Sequence, residues 1–151
     1  MPRDAERDAS AKPARTGRAA QQESRRAAGA RYESAAAQFL KREGYEILEK
    51  NYYAKRGEID LIAREGETLC FIEVKYRADT TYGYPAEAIG TRKQAHMIHA
   101  AEQWLFEKGF SEANMPPVRF DAVEILGQKI RVLRAAFSKT PGHQRMRRRF
   151  P

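Results

Sequence analysis

Asp60 and Glu73 are the two side chains whose type and spacing most invite chemistry, because each sits in a run that alternates like a β-strand and only a short gap divides the runs. Residues 58–64 and 68–77 flank Glu65, Gly66 and Glu67, which predicts a hairpin. Alternation puts Ile59, Leu61 and Ala63 on one face of the first strand and Glu58, Asp60 and Ile62 on the other. In the second strand Cys70, Ile72, Val74 and Tyr76 share a face opposite Leu69, Phe71, Glu73 and Lys75. A loop of Glu65-Gly66 would put Asp60 across from Phe71 and diagonal to Glu73. A loop of Gly66-Glu67 pairs Glu65 with Thr68 and sets Asp60 directly across from Glu73, with Cβ atoms about 4.5–5.5 Å apart. Glycine in the first loop position suits a type II′ turn and favours this second register. In both, Glu58, Asp60, Glu73 and Lys75 share one face.

Two carboxylates held about 4 Å apart repel by roughly 4 kcal/mol at an effective dielectric near 20, so the pair needs a counter-charge. A divalent cation supplies one, and hard oxygen ligands suit Mg²⁺ or Mn²⁺, with Asp60 and Glu73 as its ligands. Lys75, two residues past Glu73, is placed to orient an attacking water or to neutralise charge developing on a phosphate. The competing reading is an exposed salt-bridged sheet face; Ile62 and Phe71 on that same face argue against it. Glu33 aligns with Ala36, Ala37 and Leu40 at helical spacing and borders an apolar face, so it is a candidate third carboxylate over the hairpin or an ordinary solvated glutamate.

Other residues offer contacts rather than catalysis. Arg77, just past the hairpin, and Lys93 and Gln94, near the start of a helix, are candidates for binding nucleic-acid phosphates; an ion pair for Arg77 and a solvated helix edge for the others are the alternatives. Tyr76, Tyr82 and Tyr84 offer rings to unpaired bases or to a core. His96 and His99 lie three apart, but no cysteine partner or His-Glu-x-x-His pattern supports a metal site there.

The elements that must position these residues follow from periodicity and punctuation. Tyr32, Ala36, Phe39 and Leu40 predict a helix over 24–43 stopped by Gly44, and Tyr45, Ile47 and Leu48 predict a strand over 45–53. After the hairpin, Gly83, Tyr84 and Pro85 break the chain, and Ala88, Ile89, Ala95, Ile98, Ala101, Trp104 and Leu105 predict a helix over 86–108 ended by Gly109. Residues 118–126 and 129–133, joined at Gly127-Gln128, predict a second hairpin. The order helix, three strands, helix, two strands gives an α/β fold with a mixed β-sheet flanked by helices.

A length of 151 residues suits one domain, and 42% hydrophobic with 32% charged residues excludes a wholly disordered chain. No apolar run is long enough for a membrane span or a signal-peptide core, and the lone Cys70 has no internal disulfide partner, so a cytoplasmic protein with no membrane association is expected. The net charge of +8 is concentrated at the ends: +4 over residues 1–31, −1 over 32–137 and +5 over 138–151. Residues 1–23 read as a flexible basic segment, 24–137 as the folded domain and 138–151 as a basic tail. That tail carries Arg145, Arg147, Arg148 and Arg149, of which the last three are candidates for nonspecific attraction to nucleic acid.

Asp60 followed by Glu73-Val74-Lys75 resembles the PD-(D/E)XK nuclease signature. Gly57-Glu58-Ile59-Asp60-Leu61-Ile62 and Phe71-Ile72-Glu73-Val74-Lys75-Tyr76-Arg77 are similar to the YraN-like family of small bacterial proteins, and the likeness extends through Gly83-Tyr84-Pro85, Lys93-Gln94 and Arg119-Phe120-Asp121, over roughly residues 30–137. The resemblance implies a restriction-endonuclease-like core, related in architecture to Holliday-junction resolvases, with Glu33, Asp60, Glu73 and Lys75 at the catalytic positions. The signature's proline is absent; Ile59 precedes Asp60. Residues and resemblance together lead us to expect a Mg²⁺- or Mn²⁺-dependent endonuclease acting on DNA, with branched or otherwise distorted structures as candidate substrates and a homodimer as a candidate assembly because two nicks need two sites. The rival expectation is a nucleic-acid-binding protein that keeps the nuclease fold without turnover.

Overall fold

The computed structural model describes residues 16–78 and 89–139. Its elements are α1 (Thr16–Arg42), β1 (Glu46–Ala54), β2 (Gly57–Glu65), β3 (Thr68–Arg77), α2 (Thr91–Glu107), β4 (Val118–Leu126) and β5 (Lys129–Phe137). The chain divides into two compact units at Arg31/Tyr32. In the first, α1 begins at Thr16, upstream of the expected start at residue 24; Ala, Arg, Gln and Glu are good helix formers and sustain a helix without an apolar face. The sequence motifs at 79–88 and 140–151, including Tyr82, Gly83-Tyr84-Pro85, Arg145, Arg147, Arg148 and Arg149, lie outside the described residues.

The second unit is α/β: five strands form one mixed sheet in the order β1-β2-β3-β4-β5, consistent with a restriction-endonuclease-like core. Neighbours are antiparallel except β3 and β4, which run parallel across the crossover that contains α2. One face of the sheet packs Leu61, Ala63, Cys70, Ile72, Val123 and Ile125 against Ala36, Ala37 and Leu40 of α1. The other packs Ile62, Leu69, Phe71 and Phe120 against Met97, Ala100, Ala101, Trp104 and Leu105 of α2. Burying this apolar surface on both faces is the main favourable term holding the layers together.

Punctuation works as the sequence indicates. Gly44 (φ +94°) and Gly109 (φ +82°) each follow a helix in the left-handed region. At both ends the next residue reaches back, Tyr45 N–H to Leu40 O at 2.9 Å and Phe110 N–H to Leu105 O at 3.0 Å, which completes a Schellman cap. The described part of α2 starts later than expected, at Thr91, because Gly90 is extended (φ −67°, ψ 161°). Ala95 is exposed rather than core-facing; the buried stripe is Met97, Ala100, Ala101, Trp104 and Leu105. β5 runs four residues past its expected end, to Phe137, which stacks on Phe120.

Besides the register shifts at Ile47/Glu49 and Phe120/Ala122, strict alternation fails beside the acids. Glu49 accepts a hydrogen bond from Trp104 on the α2 side, yet Tyr52, three residues on, also faces α2 and donates to Glu107. On β2, Ile62 and Ile59 both lie in the α2-side core while Leu61 lies in the other, which corrects the expectation that Ile59 shares a face with Leu61. Both strands therefore change phase between the pairs Lys50↔Leu61 and Tyr52↔Ile59, where Asn51 stands across from Asp60. Asn51 has φ +52°, a left-handed conformation that asparagine tolerates and β-branched residues do not. Asn51→Gly is therefore expected to unfold within about 0.5 kcal/mol of the parent, whereas Asn51→Val should lose about 1–2 kcal/mol. Urea denaturation measures both, and a Val variant as stable as the parent would contradict the assignment of the phase change to Asn51.

Candidate active site

The β2–β3 turn has the register that sets the two acids face to face. Glu65 pairs with Thr68 and Leu61 with Ile72, so Asp60 and Glu73 are the next opposed positions. Gly66 takes φ +60° at the first loop position, the conformation a II′-type turn requires and glycine adopts without strain. Past Leu61 and Ile72 the ladder gives way, and the Asp60 carboxylate accepts a hydrogen bond from Val74 N–H at 2.8 Å. A side chain thus does a neighbouring strand's work and is fixed by it.

Glu73 is buried, with 5% of its surface exposed, and two lysines approach it from different elements. Lys75 Nζ, on β3, is 3.3 Å from Oε1, and Lys93 Nζ, on α2, is 3.3 Å from Oε2 and 3.8 Å from Glu58 Oε1. Although Lys93 is close, Oε2 of Glu73 makes no hydrogen bond among the described residues. A buried carboxylate oxygen left unbonded is costly and marks a position where a partner fits.

The Asp60 carboxyl has its pKa pushed up to about 8 from an ordinary 3.8, first by burial, then by the negative charge of Glu73, and further by a side-chain hydrogen bond with Glu73 and by the charge of Glu33; the Val74 N–H pulls the other way. Glu73 and Glu33 therefore both bear on the Asp60 carboxyl. A divalent cation fits this donor set: two hard carboxylates, one with an orphaned buried oxygen and one destabilised in its charged form. No group of three or more His, Cys, Asp or Glu side chains converges in a metal-holding arrangement among the described residues, and Glu33 does not make a third with Asp60 and Glu73.

The remaining candidates fall differently. Gln94 donates from Nε2 to Ile89 O at 2.9 Å and so ties down the chain before α2. Arg77 makes no side-chain hydrogen bond or ion pair among the described residues. Tyr76 stacks on Tyr32, ring centroids 3.7 Å apart, so one of its faces is occupied. His99 lies 3.9 Å from Glu102, and the backbone of His96 closes on β2: a Cβ at Gly57 would be 2.4 Å from His96 O, which explains the glycine that opens the Gly57-Glu58-Ile59-Asp60 run.

Sequence reasoning missed that Lys93 reaches Glu73, which a three-dimensional crossover alone reveals, and it missed a second polar cluster. Asp121, fully buried, accepts from Arg119 Nε at 2.7 Å, from Tyr45 OH at 3.1 Å and from Ala135 N–H at 2.9 Å. Arg119 also reaches Glu65, which Arg134 holds from outside and whose pKa these two guanidinium groups lower to about 2. Burial pushes the nearby Cys70 thiol up to about 12, so it stays an inert core group. Arg119 and Asp121, two apart on one strand face, were the available signal. With its acid oxygens and guanidinium donors bonded to one another, this cluster joins β1, β4, β5 and the β2–β3 turn.

In metal-free protein the raised pKa of Asp60 sets a sign for stability. The folded state keeps a proton that the unfolded chain releases between pH about 4 and about 8, so stability contributed at Asp60 falls as pH rises through that window. Asp60→Asn removes the titration. Melting in chelator should show the variant matching the parent near pH 4 and exceeding it by at least about 4 °C near pH 8.5, which corresponds to roughly 1 kcal/mol. A variant that gains nothing at high pH would contradict the crowding of Asp60 by Glu73.

Curated relatives share most of the length of this arrangement. A UPF0102 protein of Acetivibrio thermocellus is 46% identical over 106 residues, covering 70% of this chain and 79% of its own. Those of an Anaeromyxobacter species and of Vibrio vulnificus are 40% identical over 117 residues (75% of this chain, 86% of theirs) and 44% over 102 residues (68% and 83%). The family model described as "Uncharacterised protein family UPF0102" matches residues 32–125, which span α1 from Tyr32 through β4 and hold Glu33, Asp60, Glu73, Lys75, Lys93 and Asp121. By the extent of that match and the identity of these relatives, the chain belongs to the UPF0102 family.

Proposed function

We propose that this chain is a Mg²⁺- or Mn²⁺-dependent endonuclease of the PD-(D/E)XK type that hydrolyses phosphodiester bonds in DNA. The observation that carries the reading is Glu73, buried on β3 opposite Asp60, with an unbonded Oε2 and a lysine on each side. In the Arg119–Asp121 cluster, by contrast, both oxygens of the buried Asp121 accept hydrogen bonds.

Asp60 and Glu73 would hold the cation, which when bound supplies Lewis-acid polarisation of the phosphate and the counter-charge the two acids lack. The chain's own groups do the rest. The Val74 N–H fixes the Asp60 carboxylate in one orientation, and the sheet on either side fixes Glu73, so both acids are placed before substrate arrives. Lys75 and Lys93 are released from Glu73 as its charge is taken up elsewhere. Lys75 then orients the attacking water and stabilises charge on the phosphate, and Lys93, on α2, holds a non-bridging phosphate oxygen. Glu33 would take the water's proton as its oxygen bonds to phosphorus, while the bond from phosphorus to the departing sugar oxygen breaks and that oxygen takes a proton from solvent. A branched substrate cut on both strands requires two such sites and hence two copies of the chain.

Purified protein incubated with Mg²⁺ and linear duplex, single-stranded and four-way DNA is expected to cleave at least one of these. Asp60→Ala or Glu73→Ala should lower the rate by at least about 10³-fold and Lys75→Ala by about 10²-fold or more, with DNA binding retained. Binding that is intact without cleavage of any substrate would instead favour a nucleic-acid-binding protein with a nuclease fold and no turnover.

A further inference from the structure

The hairpin joining β1 and β2 turns at Lys55-Arg56, since Ala54 pairs with Gly57 and Tyr53 with Glu58. Tyr53 is 70% exposed, an unusual place for a large ring, and makes no ring contact among the described residues. It is not remote from the acids. Tyr53 and Glu58 are direct cross-strand partners and point to the same side, Glu58 lies 3.8 Å from Lys93, and Lys93 lies 3.3 Å from Glu73.

The turn itself carries only positive charge. Lys50, Lys55 and Arg56 are exposed, and none has an ion-pair partner among the described residues. Of the acids nearby, Glu58 is paired with Lys93, while Glu49 and Glu107 are held by the neutral donors of Trp104, Tyr52 and Gln103 and keep their charge. The tip is also held firmly. Lys55 N–H donates to Gln103 Oε1 at 3.2 Å, Tyr52 and Ile59 sit in the α2-side core, and Gly57 admits the backbone of His96 too closely for any side chain. An exposed ring on a firmly held turn, beside cations without ion-pair partners, is the combination that binds an unpaired polynucleotide strand, the ring stacking on a base while the cations take the backbone.

We propose that Tyr53, Lys55 and Arg56 form a platform for an unpaired nucleic-acid strand next to the Asp60–Glu73 site, directing that site to single-stranded or branched substrates over continuous duplex; this rests on the reading of the site given above. A ring standing out from a strand end cannot stack on bases already stacked in a duplex. It can engage a base that is free.

The test is binding in chelator, where turnover plays no part, using fluorescence anisotropy of the full chain with labelled oligo-dT, oligo-U and a DNA duplex. Tyr53→Ala should weaken binding to the single strands about tenfold or more and to the duplex by under about twofold, while Tyr53→Phe stays within about twofold of the parent on all three. Lys55→Ala with Arg56→Ala should reduce the salt slope of single-strand binding by about 1.4, two phosphate contacts' worth. Loss on oligo-dT alone or on both single strands supports the platform, and the difference identifies the sugar it accepts. Tyr53→Ala binding like the parent, losing duplex and single strand equally, or abolishing a dimer seen on sizing would overturn it. Each variant's melting curve, expected unchanged for exposed positions, separates lost contact from lost fold. Failure of the nuclease reading leaves Tyr53-dependent binding without cleavage; failure of the platform leaves cleavage indifferent to Tyr53.

Discussion

Two carboxylates face each other across a pair of strands, in a place where water reaches them poorly, and much of the second unit is arranged around keeping them there. Left to themselves Asp60 and Glu73 would separate or shed charge; the raised pKa of Asp60 records that tendency. They stay because each is tied to something stiff. Glu73 sits in the central strand, paired to β4 along its length, and Asp60 replaces a main-chain partner for Val74 N–H. The energy that holds them is supplied by the apolar layers on either face, not by the acids themselves.

The same arrangement explains features that look incidental one at a time. Asn51 in a left-handed conformation turns β1 opposite Asp60, so that β2 changes phase at the acid. Gly57 lets α2 come against β2, and α2 in turn carries Lys93 to Glu73. At the start of β3 and β4, the Arg119–Asp121 cluster joins four segments of the chain through Tyr45, Glu65 and Ala135. One end of the sheet has its polar groups bonded to one another, and the other has a carboxylate oxygen without a bond. The proposed metal site rests on that asymmetry.

How much of this was legible in the sequence depends on the range of the interaction. Gly66 announced the turn and with it the register that opposes Asp60 and Glu73, because a two-residue loop is a local decision. Gly44 and Gly109 announced helix ends for the same reason. Asn51 was passed over because a period of two was assumed to run unbroken through both strands, and one residue of positive φ was enough to move Ile59 to the other core. Lys93 reads in the sequence as a phosphate contact or a solvated helix edge, and only the crossover from β3 to β4 shows that it meets Glu73. Arg119 and Asp121 stood two apart in plain view, but their meaning depended on Tyr45, Glu65 and Arg134 arriving from three other segments.

The central claim is that the Asp60–Glu73 pair is built to surround a cation. Crystals soaked in Mn²⁺ and measured for anomalous scattering locate that ion without reference to any substrate or rate. A peak about 2.0–2.3 Å from a carboxylate oxygen of each residue, absent in Glu73→Gln, is the result expected for hard-oxygen coordination. Manganese ordered elsewhere on the chain, with none between these two acids, would contradict it.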